Sequence, residues 1–170
     1  MTISNECIKI FKKAIKDYHV FDSVDQELKN PFSDNEFFKK NIYKKSWIDT
    51  VQWHLEDIIR KPTIDPSEAL HIKRRIDKSN QERTDMVEVI DDYFFNKFSN
   101  VKITEECNIN TETPAWAIDR LSILELKIFH MDVEANRSSA DEKHRLSCIS
   151  KLEILKAQRK NLSKAIDQLL

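Results

Sequence analysis

The sequence predicts an all-α fold, and three observations lead to that prediction. The 170 residues include no glycine, although a chain of this length ordinarily carries about twelve. Apolar residues recur at helical spacings, which is the pattern of a helix that buries one face. Capping residues and prolines divide the chain into several such segments. Helices suit a chain without glycine because they satisfy their backbone hydrogen bonds internally and need few tight turns.

The first predicted helix covers residues 3–18. Its apolar stripe consists of Ile3, Cys7, Phe11, Ala14 and Tyr18. A polar linker over residues 22–32 follows it. The second predicted helix begins after Ser33, which precedes Glu36 with the spacing of a capping box, and it ends near Arg60. The linker therefore separates an N-terminal helix from the rest of the helical sequence.

The third and fourth predicted helices share one start signal, a capping residue followed by proline. Asp65 and Pro66 open the third helix, which extends to about Phe98. Proline suits the first helical position because the N–H that it lacks would have no intrahelical partner there. Thr113 and Pro114 open the fourth helix after an irregular stretch. Both starts therefore depend on backbone chemistry as well as on periodicity.

A fifth helix is predicted to begin at Ser139, which is spaced from Glu142 as in a capping box, and to run almost to the end of the chain. The connections inside the second–third and fourth–fifth helix pairs are short, so each pair is expected to form an antiparallel hairpin. The expected architecture is a single domain over residues 1–170. The two hairpins make a four-helix bundle over residues 33–170, with the N-terminal helix and linker, residues 1–30, laid across it.

Composition excludes several classes of function. Without glycine the chain has neither a P-loop nor a dinucleotide-binding motif. Twenty-eight basic and 29 acidic residues leave a net charge of −1, so no nucleic-acid partner is expected. No apolar run is long enough to span a membrane, and no segment resembles a signal peptide. The three cysteines are widely spaced, which favours a reducing cytoplasm, and only Cys107 is expected to be reachable.

Candidate functional residues are polar side chains that interrupt the apolar stripes. Helical wheels place Asn80 and Arg83 within the stripe of the third helix, and Arg159 within that of the fifth. Asp119 and His130 fall on an apolar face of the fourth helix. Burying an unpaired charge is costly, so these groups are expected to pair or to border a cavity. These residues have two possible interpretations. They form ion pairs that set the register of the helices, or they line a pocket in which the arginines hold an anion.

A second group of candidates lies on the second helix. Trp53 points away from the apolar stripe and shares its face with Asp49, Glu56 and Arg60, while His54 lies at the edge of the stripe. We expect Trp53 to be buried against another helix or a partner subunit, and the alternative is that it stacks on a ligand.

The entrance to the fourth helix is a candidate anion site, because free amides and the helix dipole attract negative charge. Polar side chains precede it, at Asn108, Asn110, Thr111 and Thr113. However, Pro114 removes one amide and Glu112 adds a negative charge. Ordinary capping by Thr113 is an equally good explanation.

No metal-ligand set is predicted. Carboxylate-bridged di-iron bundles use Glu-x-x-His on two helices. Glu68 and His71 have this spacing, and Asp141 and His144 come close to it. Both pairs lie in the first turn of a helix, whereas di-iron ligands project inward from the middle of a helix. The sequence identifies no cofactor.

Three segments carry a resemblance to a known family, namely WIDTVQWHLEDIIR at 47–60, KRRIDKSNQERTD at 73–85 and NTETPAWAIDRLSIL at 110–124. Together they resemble DUF4254, a bacterial family of unknown function. The positions that match the family's motifs are His54, Glu56, Asp57, Asp77, Asn80, Gln81, Arg83, Asp85, Asn110, Thr111, Glu112, Asp119 and Arg120. The resemblance implies a helical protein of the bacterial cytoplasm and an association with glycosyltransferase and surface-polysaccharide genes. It implies no activity.

Three hypotheses about function follow. The first is a binding or accessory protein with a pocket for an anionic metabolite, such as a sugar phosphate or nucleotide sugar. Its ligand-binding candidates are Asn80, Arg83, Asn110, Thr111, Arg120, Arg159, Trp53 and Trp116. The second is an enzyme with a histidine and a carboxylate as acid and base, drawn from His54, His130, Asp119, Glu56 and Asp57. The third is a homo-oligomeric scaffold in which the ion pairs are only structural.

Overall fold

The computed structural model describes residues 2–102, 104, 105, 107 and 109–170. Across these residues the chain forms five α-helices and one short 3-10 helix, with no β-strand, so the all-α prediction is confirmed. The α-helices are α1 (Ile3–Tyr18), α2 (Phe37–Ile59), α3 (Pro66–Lys97), α4 (Pro114–Ala135) and α5 (Glu142–Leu169). No helix in this part of the chain is long and apolar enough to cross a membrane.

The proline-marked starts are confirmed. The side chain of Asp65 accepts hydrogen bonds from the backbone N–H groups of Ser67 and Glu68, and α3 begins at Pro66. The hydroxyl of Thr113 accepts from the N–H of Trp116, so it caps α4 in the same manner. Each cap supplies a partner for amides that the first turn of a helix leaves free.

Two helix starts differ from the prediction. The capping box of Ser33 and Glu36 is present, but it opens a 3-10 turn over residues 34–36 before α2 begins. The cap of α5 is Asp141 and not Ser139, because the Asp141 carboxylate accepts from the N–H of His144 at 2.8 Å. Aspartate ranks above or level with serine as an N-cap, so the later residue determines where the helix starts.

The core is built from the first four helices. α1 contacts α2, α4 and α5, while α3 packs between α2 and α4. The main apolar cluster takes buried side chains from α1 to α4 and Ile166 from α5, including Phe11, Tyr43, Ile90 and Leu121, and further α5 leucines pack against it. α5 packs mainly along α4, where Leu124, Ile128 and Leu152 form a separate cluster. α1 is therefore a full contributor to the core.

Candidate functional site

A group of four charged side chains lies where α2, α3 and α4 meet, and we call it the ion tetrad. It consists of Lys45, Asp49, Arg83 and Asp119. Lys45 Nζ lies 2.5 Å from Asp49 Oδ2 and 2.5 Å from Asp119 Oδ1. Arg83 reaches the same two carboxylates, with Nε 2.9 Å from Asp49 Oδ1 and Nη2 3.1 Å from Asp119 Oδ1. Two cations therefore balance two anions.

The tetrad is buried to different depths. The Lys45 side chain is 1% exposed, whereas that of Arg83 is 24% exposed. Burial alone would raise the pKa of Asp119, but the charges and hydrogen bonds of Lys45 and Arg83 outweigh burial and lower that pKa below its ordinary value. Asp119 is therefore a carboxylate at neutral pH. The other carboxylate of the tetrad, Asp49, also accepts a hydrogen bond at Oδ2 from the hydroxyl of Ser122 at 2.6 Å.

A small cavity of about 130 Å³ opens beside the exposed edge of the tetrad, and we call it the arginine cavity. Its polar and aromatic lining consists of Asp49, Gln52, Trp53, Glu56, Arg60 and Arg83. The face predicted on α2, which carries Trp53 with Asp49, Glu56 and Arg60, therefore lines a single cavity. Asp49 Oδ1 and Arg83 Nε are both buried and lie 2.9 Å apart, as an ion pair without the geometry of a regular hydrogen bond.

Three histidines from three parts of the chain form a second polar cluster. His19 follows the last residue of α1, His54 lies on α2 and His130 lies on α4. Their candidate ligand nitrogens all lie within 4.8 Å of one another, so this trio is the set of described side chains best placed to hold a metal ion. Asp22 approaches the cluster, with Oδ1 3.5 Å from His54 Nε2.

Trp53 connects the two polar regions. Its ring stacks on that of His130 with centroids 4.8 Å apart and planes 4° from parallel. The same side chain lines the arginine cavity. Stacking on His130 of its own chain leaves Trp53 half-buried, so the expected burial of this residue is only partial.

Several other sequence candidates lie apart from the tetrad. Arg159 pairs with the buried Glu125, at 3.3 Å between Arg159 Nη1 and Glu125 Oε1. Asn80 is exposed, so the prediction that it lies within the buried stripe is wrong. Its neighbour Ser79 is the buried residue, because one residue along a helix turns the side chain by about 100°. Asn80 Oδ1 instead accepts from Gln52 at 2.7 Å.

The entrance to α4 forms a third, open region of about 540 Å³. Its lining includes Asn110, Thr111, Trp116 and Arg120, whereas Asn108 lies outside the described residues. Arg120 pairs there with Glu112 at 3.0 Å.

The helix terminus at this entrance already has an anionic partner. Asp91 of α3 accepts from the N–H of Ala115 at 3.1 Å and from the Thr113 hydroxyl at 2.6 Å. The carboxylate of Asp91 therefore occupies the position where the sequence analysis predicted a bound anion.

Sequence reasoning did not single out several members of these sites. Lys45 was missed, although its spacing of four from Asp49 on α2 is the pattern of a helical ion pair. His19 was missed because it lies at the end of α1, and its approach to His54 spans 35 residues. Glu125 was missed because the α4 wheel is apolar on two faces and hides one buried acid.

The fold and these sites define an all-helical protein with a charge-balanced polar core that opens into a small cavity. The sequence model of DUF4254, described as a protein of unknown function, matches residues 39–170. The chain belongs to this family, and the matched region contains all three segments that suggested the resemblance. No curated protein and no solved structure matches the chain significantly.

Proposed function

We propose that the protein binds a small metabolite that carries both an anionic group and hydroxyl groups, such as a sugar phosphate or nucleotide sugar, in the arginine cavity. The observation that carries this proposal is the mixed lining of that cavity. Arg83 and Arg60 offer guanidinium groups, Asp49 and Glu56 offer carboxylates, and Trp53 offers an aromatic surface.

The charges of the lining narrow the class of ligand. Two arginines and two carboxylates balance, so a simple anion would be attracted and repelled in similar measure. A ligand with hydroxyl groups avoids this conflict, because hydroxyls donate to Asp49 and Glu56 while its anionic group accepts from Arg83 and Arg60. Paired recognition of this kind favours a phosphorylated sugar over inorganic phosphate.

The volume of the cavity sets a further limit. Pockets that enclose a drug-sized ligand measure about 300–1,000 Å³, whereas the arginine cavity measures about 130 Å³. The cavity therefore holds one group of the ligand, and the remainder lies over the exposed rim formed by Arg60 and Glu56.

Calorimetric titration with glucose 1-phosphate, UDP-glucose and inorganic phosphate tests this proposal. Arg60→Ala removes an exposed cation from the rim and leaves the tetrad intact, and Ile123→Phe fills the cavity from α4. Arg74→Ala, an exposed arginine on α3, is the matched control. We expect a sugar phosphate to bind more tightly than phosphate, and each cavity variant to weaken binding at least about tenfold. Absence of binding, or equal binding by the cavity variants and the control, would refute the proposal.

An acid–base enzyme is the second candidate, and one observation favours it. His54, Asp22 and Asp57 line a cavity of about 340 Å³ that is open to solvent. Burial lowers the pKa of His54, an effect that the charge of Asp22 opposes, so a neutral imidazole faces the cavity at pH 7. Turnover of the same sugar phosphates that His54→Gln abolishes, and that His71→Gln leaves intact, would establish this activity. No turnover by the wild type would exclude it for these substrates.

The helical arrangement predicted from the sequence remains part of the proposal. Close packing of α2 on α3 and of α4 on α5 supports two antiparallel hairpins within one domain. The packing of α1 against α2, α4 and α5 supports an N-terminal helix laid against the bundle.

A further inference from the structure

The three histidines of the second cluster have the mutual geometry of a metal site. Their ring centres are 5.1, 5.4 and 5.4 Å apart, and the ring planes cross at 62°, 66° and 65°. The three ring centres therefore form a nearly equilateral triangle, and each ring is inclined to the other two by a similar angle. Edge-to-face packing of aromatic rings gives similar separations and angles, so the argument for a metal depends on where the ring nitrogens lie.

These distances fit a tetrahedral metal ion. When imidazole nitrogens lie about 2.0–2.1 Å from Zn²⁺, two such nitrogens are about 3.4 Å apart and their ring centres about 5 Å apart. The Nε2 atoms of His19 and His54 are 3.2 Å apart, and all three candidate nitrogens lie within 4.8 Å of one another. The third nitrogen would have to move closer, by rotation of the imidazole rings, to reach the same distance.

The protonation of the cluster also suits a metal. The Nδ1 atom of His19 lies 2.6 Å from the carbonyl oxygen of Ile15, which only accepts, so Nδ1 carries the proton. In the neutral tautomer the lone pair of His19 is then on Nε2, the atom that faces His54. A backbone carbonyl that fixes the outer nitrogen of a ligating histidine is the common second contact at zinc sites.

His130 adds an unsatisfied atom. Its Nε2 is buried without a hydrogen-bond partner among the described residues. A buried polar atom without a partner is costly, and coordination to a cation would satisfy it.

Asp22 places a negative charge beside the cluster, outside the set of three close nitrogens. Its carboxylate Oδ1 lies 3.5 Å from His54 Nε2. The backbone of Asp22 has φ of 50°, a left-handed conformation that glycine usually provides and aspartate tolerates. The N–H of Asp22 is bonded to the carbonyl of Tyr18 at 3.0 Å, so the turn after α1 holds this side chain beside the imidazoles.

We propose that His19, His54 and His130 bind one transition-metal dication, best matched by Zn²⁺, and that the nearby carboxylate of Asp22 balances part of its charge. Three imidazole nitrogens select a borderline transition metal over Mg²⁺ or Ca²⁺, which prefer oxygen ligands. The site uses none of the charged groups that the arginine cavity offers to a ligand, so it does not depend on the proposed function. A bound metal would prevent His54 from acting as a general base, so the site competes with the second candidate function.

The wild-type protein gives the first test. The 170-residue protein is stripped of metal with a chelator, and ZnCl₂ is added while the imidazole nitrogens are followed by ¹⁵N nuclear magnetic resonance. We expect saturation at one Zn²⁺ per chain, with shifts confined to three of the five histidines. His71 and His144 act as internal controls that stay unshifted. Shifts at His144 instead, or no saturable shift at any histidine, would overturn the proposal.

Variants give the second test. Affinity for Zn²⁺ is measured by competition with a chromophoric chelator, and Co²⁺ replaces Zn²⁺ to report tetrahedral geometry by its visible absorption. We expect His19→Gln and His54→Gln to weaken Zn²⁺ binding at least about 100-fold, and His71→Gln to bind as the wild type does. Asp22→Asn lies on an exposed turn and is expected to weaken binding about tenfold without unfolding the chain. Undiminished Zn²⁺ affinity in Asp22→Asn and the histidine variants, or an octahedral Co²⁺ spectrum, would contradict the site.

Discussion

Replacing Arg83 by methionine tests whether the ion tetrad holds the helices together. The substitution keeps much of the side-chain volume but leaves Asp49 and Asp119 to share the single charge of Lys45. At an effective dielectric constant of about 20, one contact at 2.9 Å contributes roughly 6 kcal/mol of gross Coulomb attraction. Desolvation of both ions offsets most of this energy in the wild type. The variant loses the attraction and keeps the buried carboxylates.

Removing one partner of a buried ion pair costs about 3–5 kcal/mol of unfolding free energy. Arg83 is partly exposed, so water from the arginine cavity can reach the carboxylates in the variant. We therefore expect Arg83→Met to destabilise by about 3 kcal/mol, the lower end of that range. Lys45→Met removes the fully buried cation and is expected to cost about 5 kcal/mol. The corresponding fall in Tm for Arg83→Met is about 6–12 °C.

The assay is urea denaturation at pH 7, followed by circular dichroism and tryptophan fluorescence. Arg74→Met, an exposed position on the same helix, is the control and is expected to change the unfolding free energy by less than about 0.5 kcal/mol. Arg83→Met combined with Asp119→Asn restores charge balance, so the double variant should lose less than the sum of the single losses. An Arg83→Met protein as stable as the control, or strictly additive losses, would refute the reasoning.

Three further predictions concern the rest of the chain. Burial raises the pKa of Glu125 against the opposing charge of Arg159. A carboxyl group whose pKa is higher in the folded than in the unfolded protein stabilises the fold while it is protonated. This stabilisation is complete below the unfolded-state pKa of about 4.3 and is lost as the pH rises through the folded-state pKa. The unfolding free energy of the wild type relative to Glu125→Gln should therefore fall from pH 4 upward, and parallel profiles would contradict this. Asp91→Ala removes the carboxylate that accepts a hydrogen bond from the N–H of Ala115 at the start of α4. The unfolding free energy measured by urea denaturation should fall by about 1 kcal/mol, whereas no loss would show that water replaces the carboxylate. Cys107 is exposed and its pKa is lowered by hydrogen bonds from the backbone and side chain of a nearby threonine, so one thiol per chain should react rapidly with a maleimide, and Cys107→Ser should abolish that fast phase.

Helix starts were predictable where the signal is local. An N-cap and a proline act on the amides of a single turn, so Asp65 with Pro66 and Thr113 with Pro114 identify the starts of α3 and α4 from sequence alone. The start of α5 was misplaced because Ser139 and Asp141 compete as caps within three residues. Only the geometry of the turn shows which carboxylate or hydroxyl reaches a free amide.

The candidate site was predictable in part. The α2 face that carries Trp53 and Glu56 was visible as a helical pattern, and it lines one cavity. Arg83 and Asp119 were visible as charges on apolar stripes, and burial forces such charges to find partners. Arg159 satisfied the same criterion, yet its partner is Glu125 in a different place. A wheel shows that a charge is buried but contains no information about its partner.

What the sequence alone determined is the class of fold, because the absence of glycine, the helical period and the caps act within single helices. Tertiary structure alone decided which polar groups meet. The tetrad needs α2, α3 and α4 in one axial register, and the histidine cluster needs the end of α1 beside His54 and His130. Register and rotation arise from the packing of many apolar side chains at once, so no local pattern reports them.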